Sequence, residues 1–164
     1  MGERSHDSLT ARETSDLLEI QQLIYRYAWL IDTRDFDALD AVFAPGAEVH
    51  YNVFGGVRQS WPAVKEFLRA GLSLHRVTQH QMSTPLIELA GDRATSRTYG
   101  NLVHVQELLD GKPHYVVQHA IYHDALERRP EGWRIATRRL DNLFVQGRFL
   151  GPDRVKTYEQ PKPY

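Results

Sequence analysis

Between Pro85 and Gly147 the chain reads PLIELAGDRATSRTYGNLVHVQELLDGKPHYVVQHAIYHDALERRPEGWRIATRRLDNLFVQG, four long β-type runs with very little between them. The breaks are Gly91-Asp92, Asp110-Gly111 and Pro130-Glu131-Gly132. Parallel neighbours would need crossovers of about a dozen residues, and none of these breaks supplies one. Short turns between long strands therefore predict an antiparallel meander. Such a sheet buries one face only if other elements cover it.

The covering elements lie in the first eighty residues. From Ser15, SDLLEIQQLIYRYAWLIDTRD places apolar residues at 17, 18, 20, 23, 24, 27, 28, 30 and 31, the period of an amphipathic helix. Ser15 is placed to cap it, with Asp16 and Glu19 near the positive end of the dipole. DFDALDAVF predicts a second short helix, ended by a Pro45-Gly46 turn. AEVHYNVF alternates as a strand and runs into Gly55-Gly56, a hairpin signal. SWPAVKEFLRAGL predicts a third helix, with Ser60 as cap and Pro62 in its first turn. The plan is α+β: three N-terminal helices packed on one face of a curved antiparallel sheet. Residues 1–14 are expected to be a flexible N-terminus and residues 15–150 one domain. The tail, 151–164, contains three prolines and is expected to lie over the surface or over a neighbouring subunit.

Composition removes several classes of function. A chain of 164 residues suits one domain, and 41% hydrophobic with 25% charged residues is ordinary for a globular protein. A formal charge of −1 gives no field to hold nucleic acid or an anionic membrane. The absence of cysteine excludes disulfides, thiolate nucleophiles and cysteine-based metal sites. No apolar stretch approaches a membrane span, and MGERSHDSLTARETS has no signal-peptide core, so the expected compartment is the cytoplasm. There is no phosphate-cradling glycine loop and no nucleophile elbow. Eight histidines invite a metal reading, through His119 and His123 on one strand face or through His50, His80 and His104. No H-E-x-x-H or facial-triad spacing supports it, and no metal is expected.

Four residues stand out for chemistry. Asp32 ends an apolar helix on the stripe of Tyr25, Ala28 and Trp29, where the helix dipole disfavours a carboxylate; a loop cap is the simpler alternative. His80 stands at the entrance to a strand, among Gln79, Gln81 and Ser83, where packing needs no imidazole; a polar turn residue is the alternative. Tyr51 alternates with Val49 and Val53, and His104 shares a face with Leu102 and Gln106. Both would also serve as ordinary core residues.

The stretches LIDTRDFDALDAVFAP with VHYNVF close behind, TQH at 78–80 and the strand YGNLVHVQ resemble scytalone dehydratase and its relatives. These belong to the SnoaL-like branch of the nuclear transport factor 2-like superfamily, and the resemblance covers roughly residues 15 to 147. It implies a cone-shaped α+β barrel around one deep pocket, and chemistry without a cofactor. Carried over by position, Asp32 orients His80, which removes a proton from carbon beside a carbonyl or leaving group. A carboxylate on one ring nitrogen fixes the tautomer and leaves the other nitrogen as base. Tyr51 matches a pocket tyrosine that polarises a carbonyl through water, and His104 a second pocket histidine. Tyr27 matches a catalytic tyrosine of the related bile-acid dehydratase. Arg138 matches a pocket arginine of the related dehydrochlorinase, with a solvated strand charge as the alternative. Tyr27, Trp29, Tyr122 and Arg138 make up the expected substrate-binding set. Departures remove scytalone itself as the expected substrate: Ile31 stands for a second pocket tyrosine, and Ala120 and Tyr122 for a serine and an asparagine.

The expected activity is a cofactor-independent, dehydratase-type lyase acting through an enolate on a medium-sized hydrophobic carbonyl, polyketide- or steroid-like compound. An isomerase or cyclase would use the same groups. A non-catalytic small subunit of an aromatic-ring dioxygenase, or a ligand-binding protein, would need none of them. The expected partners are a small-molecule substrate and further copies of the chain, as dimer or trimer through Tyr99, Tyr115 and Phe144, with no nucleic acid and no membrane.

Overall fold

The structure, a computed structural model, describes residues 8–51 and 58–162. Helix α1 spans Ala11–Thr33, starting four residues before Ser15. Thr10 is the cap: its hydroxyl accepts from the Glu13 amide at 3.2 Å, and the Glu13 carboxylate accepts from the Thr10 amide at 2.8 Å. These reciprocal bonds satisfy two of the helix's orphan donors, which Ser15 in the next turn does not. Its buried stripe is Ile20, Leu23, Ile24, Tyr27, Ala28 and Ile31. Arg34 ends the helix in the left-handed region, at φ 58°.

The second expected helix is only a 3₁₀ turn, Ala38–Ala41. By Phe43 the chain is already in strand β1 (Phe43–Tyr51), because the Phe43 ring stacks on Trp61 at 3.9 Å and its backbone pairs with Ile135. Pro45-Gly46 ends no helix. It forms a bulge in β1, where the register slips between Phe43 and Glu48 and Gly46 supplies φ 78°. The Gly55-Gly56 hairpin signal lies outside the described residues; β2 (Arg58–Ser60) pairs antiparallel with β1. Helix α2 (Trp61–Leu72) carries Pro62 in its first turn, with Ser60 at the cap position but making no side-chain cap bond.

Residues 77–82, of which the sequence suggests only the entrance to a strand at His80, themselves form strand β3 (Val77–Met82). The meander follows as β4 (Leu86–Ala90), β5 (Arg93–Glu107), β6 (Pro113–Arg129) and β7 (Gly132–Gln146), each antiparallel to the next. Two-residue connections join β4 to β5 and β6 to β7. The sheet order is β2-β1-β7-β6-β5-β3, with β4 also on β5; β1 runs parallel to β7. The result is an α+β fold with a curved, unclosed and mostly antiparallel sheet. Its inner face, including Leu102, Ala120, Tyr122, Leu126 and Leu140, packs against the apolar sides of the helices.

Along β5 burial alternates until Val105 and then becomes continuous to Glu107. The C-terminal tail causes this by lying against its own chain. Leu108 bridges to Val155, the Lys156 amide donates to the Glu107 carbonyl, and the Glu107 carboxylate accepts from Arg76, Lys156 and Tyr158. Among the described residues no helix is long and apolar enough to cross a membrane.

Candidate active site

Strand β3 is an edge, paired with β5 only, so every second backbone group points away from the ladder and needs another partner. The C-terminal end of α1 lies against that edge and delivers Asp32. Its Oδ2 accepts from the His80 amide at 2.7 Å, and its Oδ1 accepts from the Thr78 hydroxyl at 2.9 Å. The His80 ring Nδ1 lies 2.6 Å from the same Oδ1. A carboxylate only accepts, so Nδ1 carries the proton, and Nε2 is the nitrogen with the lone pair when the ring is neutral. Asp32 is therefore no local loop cap. It bonds three groups on a strand that the sequence places almost fifty residues away. Within β3, Gln79 and Gln81 face outwards while Thr78 and His80 face inwards, which explains an imidazole flanked by glutamines.

His80 borders a cavity of about 270 Å³ between α1, α2 and the inner face of the sheet. Its walls are largely apolar, among them Ile31, Leu68, Leu72, Leu102, Leu140 and Phe149. At one end Tyr27, Tyr51 and Tyr122 enter it, and the Tyr27 and Tyr51 hydroxyls are hydrogen-bonded to each other at 2.9 Å. Burial pushes the Tyr51 and Tyr122 hydroxyls well above the usual phenol range, so both remain protonated donors. Gly100 makes room for Tyr122: a Cβ there would come 2.8 Å from the ring.

At the other end His104 lies edge to face with His80, the ring centroids 5.9 Å apart. Burial, reinforced by His80 and His75, pushes His104 well below the usual imidazole range while Gln118 opposes it, so the ring is neutral. His75, just beyond α2, also borders the cavity, its ring 5.1 Å from that of His104. The sequence reading missed His75, although a histidine in LSLHRV beside apolar Leu72 and Leu74 was a signal for a buried imidazole. Gln106, Gln118, Phe149 and Leu150 were missed as well; the last two reach the cavity only because the tail folds back.

Two members of the expected substrate-binding set are not in the wall. Trp29 is 69% exposed, because α1 turns that position to solvent when it buries Tyr27, Ala28 and Ile31. Arg138 is fully buried but lies behind the wall. Asp124, its cross-strand partner, takes Nε and Nη2 at 2.7 Å each, and the guanidinium stacks on the outer side of Tyr27 and Tyr122. Nor do His50, His80 and His104 converge, since His50 sits beside Glu48 and Arg58, away from the cavity. His119 stacks on Phe144 and His123 lies 3.2 Å from Asp141. Among the described residues no three His, Cys, Asp or Glu side chains are grouped to hold a metal ion.

A SnoaL-like domain model matches residues 12–139. An uncharacterized Mycobacterium tuberculosis protein, Rv2910c, is 36% identical over 131 residues, covering 79% of this chain and 87% of its own. The crystal structure of a candidate scytalone dehydratase from Novosphingobium aromaticivorans superposes with a TM-score of 0.75 at 18% identity, over 91% of this chain and 97% of that one. A hexachlorocyclohexane dehydrochlorinase, LinA type 2, superposes with a TM-score of 0.70 at 17% identity, over 85% and 95%. At these identities the two structures speak for the shared fold.

Proposed function

Since the chain belongs to the SnoaL-like domain family, whose structural neighbours include a dehydrochlorinase, we propose that it is a lyase that eliminates a leaving group through an enolate, with His80 as general base. The observation that carries this reading is the 2.6 Å contact between Asp32 and His80 Nδ1 at the wall of an apolar cavity. Held in that tautomer, His80 takes a proton at Nε2 from carbon next to a carbonyl. The C–H electron pair forms the enolate, and the oxygen that gains charge accepts from Tyr51 or His104. The enolate then re-forms the carbonyl and expels hydroxide from the β-carbon, and the proton on His80 leaves with it as water. Carbon undergoes no net oxidation, so the reaction calls for no redox cofactor. Without a β leaving group the same enolate returns its proton elsewhere, which gives an isomerisation.

The cavity, about 270 Å³, lies just below the usual span of ligand sites, roughly 300 to 1,000 Å³. That favours a compact hydrophobic carbonyl compound of one to three rings over a steroid skeleton. Tyr99, Tyr115 and Phe144, exposed on the sheet, suit a homo-oligomer. The test is a panel of β-hydroxy ketones followed by the absorbance of the conjugated enone. Wild-type protein is expected to turn over at least one, and His80→Ala to lower the rate by about 10²–10⁴-fold. Turnover that survives His80→Ala would refute the assignment of the base.

A further inference from the structure

The reaction proposed above makes no use of His75, whose buried ring holds an unpartnered nitrogen. His75 is 7% exposed, and its Nδ1 lies 3.0 Å from the Gly71 carbonyl oxygen. A carbonyl only accepts, so the proton is on Nδ1 and the lone pair on Nε2. Burial, with the Arg34 guanidinium beside it and against the hydrogen bond to Gly71, holds the ring down to about 4, so it stays neutral at physiological pH. Nε2 is buried and has no hydrogen-bond partner among the described residues. Among the described residues His104, the next ring along the same wall, makes no hydrogen bond of normal geometry at either nitrogen, although the Gln118 side chain comes near enough to favour its protonated form. Buried polar groups are rarely left in this condition without a ligand or a bound water to complete them.

Counting donors and acceptors narrows the chemistry. Neutral His75 offers one acceptor and no free donor, because its only N–H is committed to Gly71. Neutral His104 offers one donor and one acceptor. A ketone or ether oxygen would satisfy the His104 donor and leave His75 with nothing. A hydroxyl donates and accepts at once, so it answers both rings together.

We propose that His75 is a specificity residue, and that the compound bound in this cavity carries a hydroxyl group that donates to His75 Nε2 and accepts from His104. The inference rests on the reading of the cavity as a substrate site and adds where the substrate's hydroxyl is held. Phe149, edge-on to both rings at 5.7 and 5.0 Å, brings the C-terminal tail up against this polar end.

The test measures binding and not turnover, so it can fail while His80 still proves to be the base, and the reverse. The probes are 2-naphthol and naphthalene, two-ring compounds that differ by one hydroxyl, titrated into wild-type protein and His75→Phe. The variant keeps a flat ring against His104 and Phe149 and removes the acceptor. Wild type is expected to prefer 2-naphthol by about tenfold, and His75→Phe to bring the ratio within about twofold, chiefly by losing naphthol affinity. In parallel, ¹⁵N NMR of the wild type should show a bare His75 Nε2 whose resonance moves on adding 2-naphthol and stays in place with naphthalene. This second arm decides the matter even if the variant does not fold. Equal affinity of wild type for the two probes, no binding of either, an undiminished preference in His75→Phe, or a His75 resonance that naphthol leaves unmoved would each overturn the proposal. The last result would point to a bound water as the partner of Nε2.

Discussion

Acid should destabilise this protein through the buried His75, and the size of the effect follows from its surroundings. His104, His80 and Arg34 face the ring; burial, with Arg34 beside it, outweighs the Gly71 hydrogen bond and lowers it from 6.5 to about 4. At pH 7 neither the folded nor the unfolded chain carries this proton. Below pH 6.5 the unfolded chain takes it up while the folded chain does not until about pH 4, so stability falls as pH falls through that window. The gap is worth about 3 kcal/mol in full, and roughly 2 kcal/mol of it falls between pH 7 and pH 4.5. Urea unfolding of wild type and His75→Phe at both pH values isolates this contribution. His104, lowered in the same direction, titrates in both proteins and largely cancels. Wild type should lose about 2 kcal/mol more than the variant on going to pH 4.5. Equal losses would show that His75 is protonated readily in the folded protein, and the argument from its buried, neutral ring would fail.

Three substitutions probe the surroundings of the cavity. Arg138→Met leaves Asp124 charged, unpaired and fully buried, and should cost about 3–5 kcal/mol by chemical denaturation; adding Asp124→Leu should recover most of that loss. Gly100→Ala drives a methyl group into Tyr122 and should cost about 1–3 kcal/mol while loosening naphthol binding. Trp29→Ala should leave naphthol affinity unchanged, because that ring faces solvent; a weakened affinity would return Trp29 to the site.

The meander was legible because its signals are local: two-residue breaks and an alternating pattern that survives along β5 and β6. The parallel pairing of β1 with β7 was not, since it depends on strands some ninety residues apart and leaves no spacing in the sequence. The 3₁₀ turn at Ala38–Ala41 shows the same limit. Its apolar period fits a helix, and only the stacking of Phe43 on Trp61 says that the chain has already become strand. In the candidate site, Asp32 and His80 each stood out locally, but with a loop cap and a polar turn residue as alternatives, and only the resemblance carried by TQH and the acid before it made them a pair. Arg138 was placed by its match to a pocket arginine of the related dehydrochlorinase, with a solvated strand charge as the alternative; its cross-strand neighbour Asp124 holds it instead, a pairing that leaves no local signal. His75 was passed over because no residue near it in sequence hints at His104 or at the tail that closes over both.

The central claim, a carbon acid deprotonated by His80 under the direction of Asp32, is tested most directly by proton exchange in deuterated water. 2-Tetralone, whose C1 and C3 protons flank a ketone and which has no β leaving group, would be followed by ¹H NMR with wild type, His80→Ala and Asp32→Asn. The account predicts faster loss of those signals with wild type than in buffer, and a rate near that of buffer with either variant. Wild-type exchange no faster than buffer, or exchange that persists without the His80 imidazole, would contradict it.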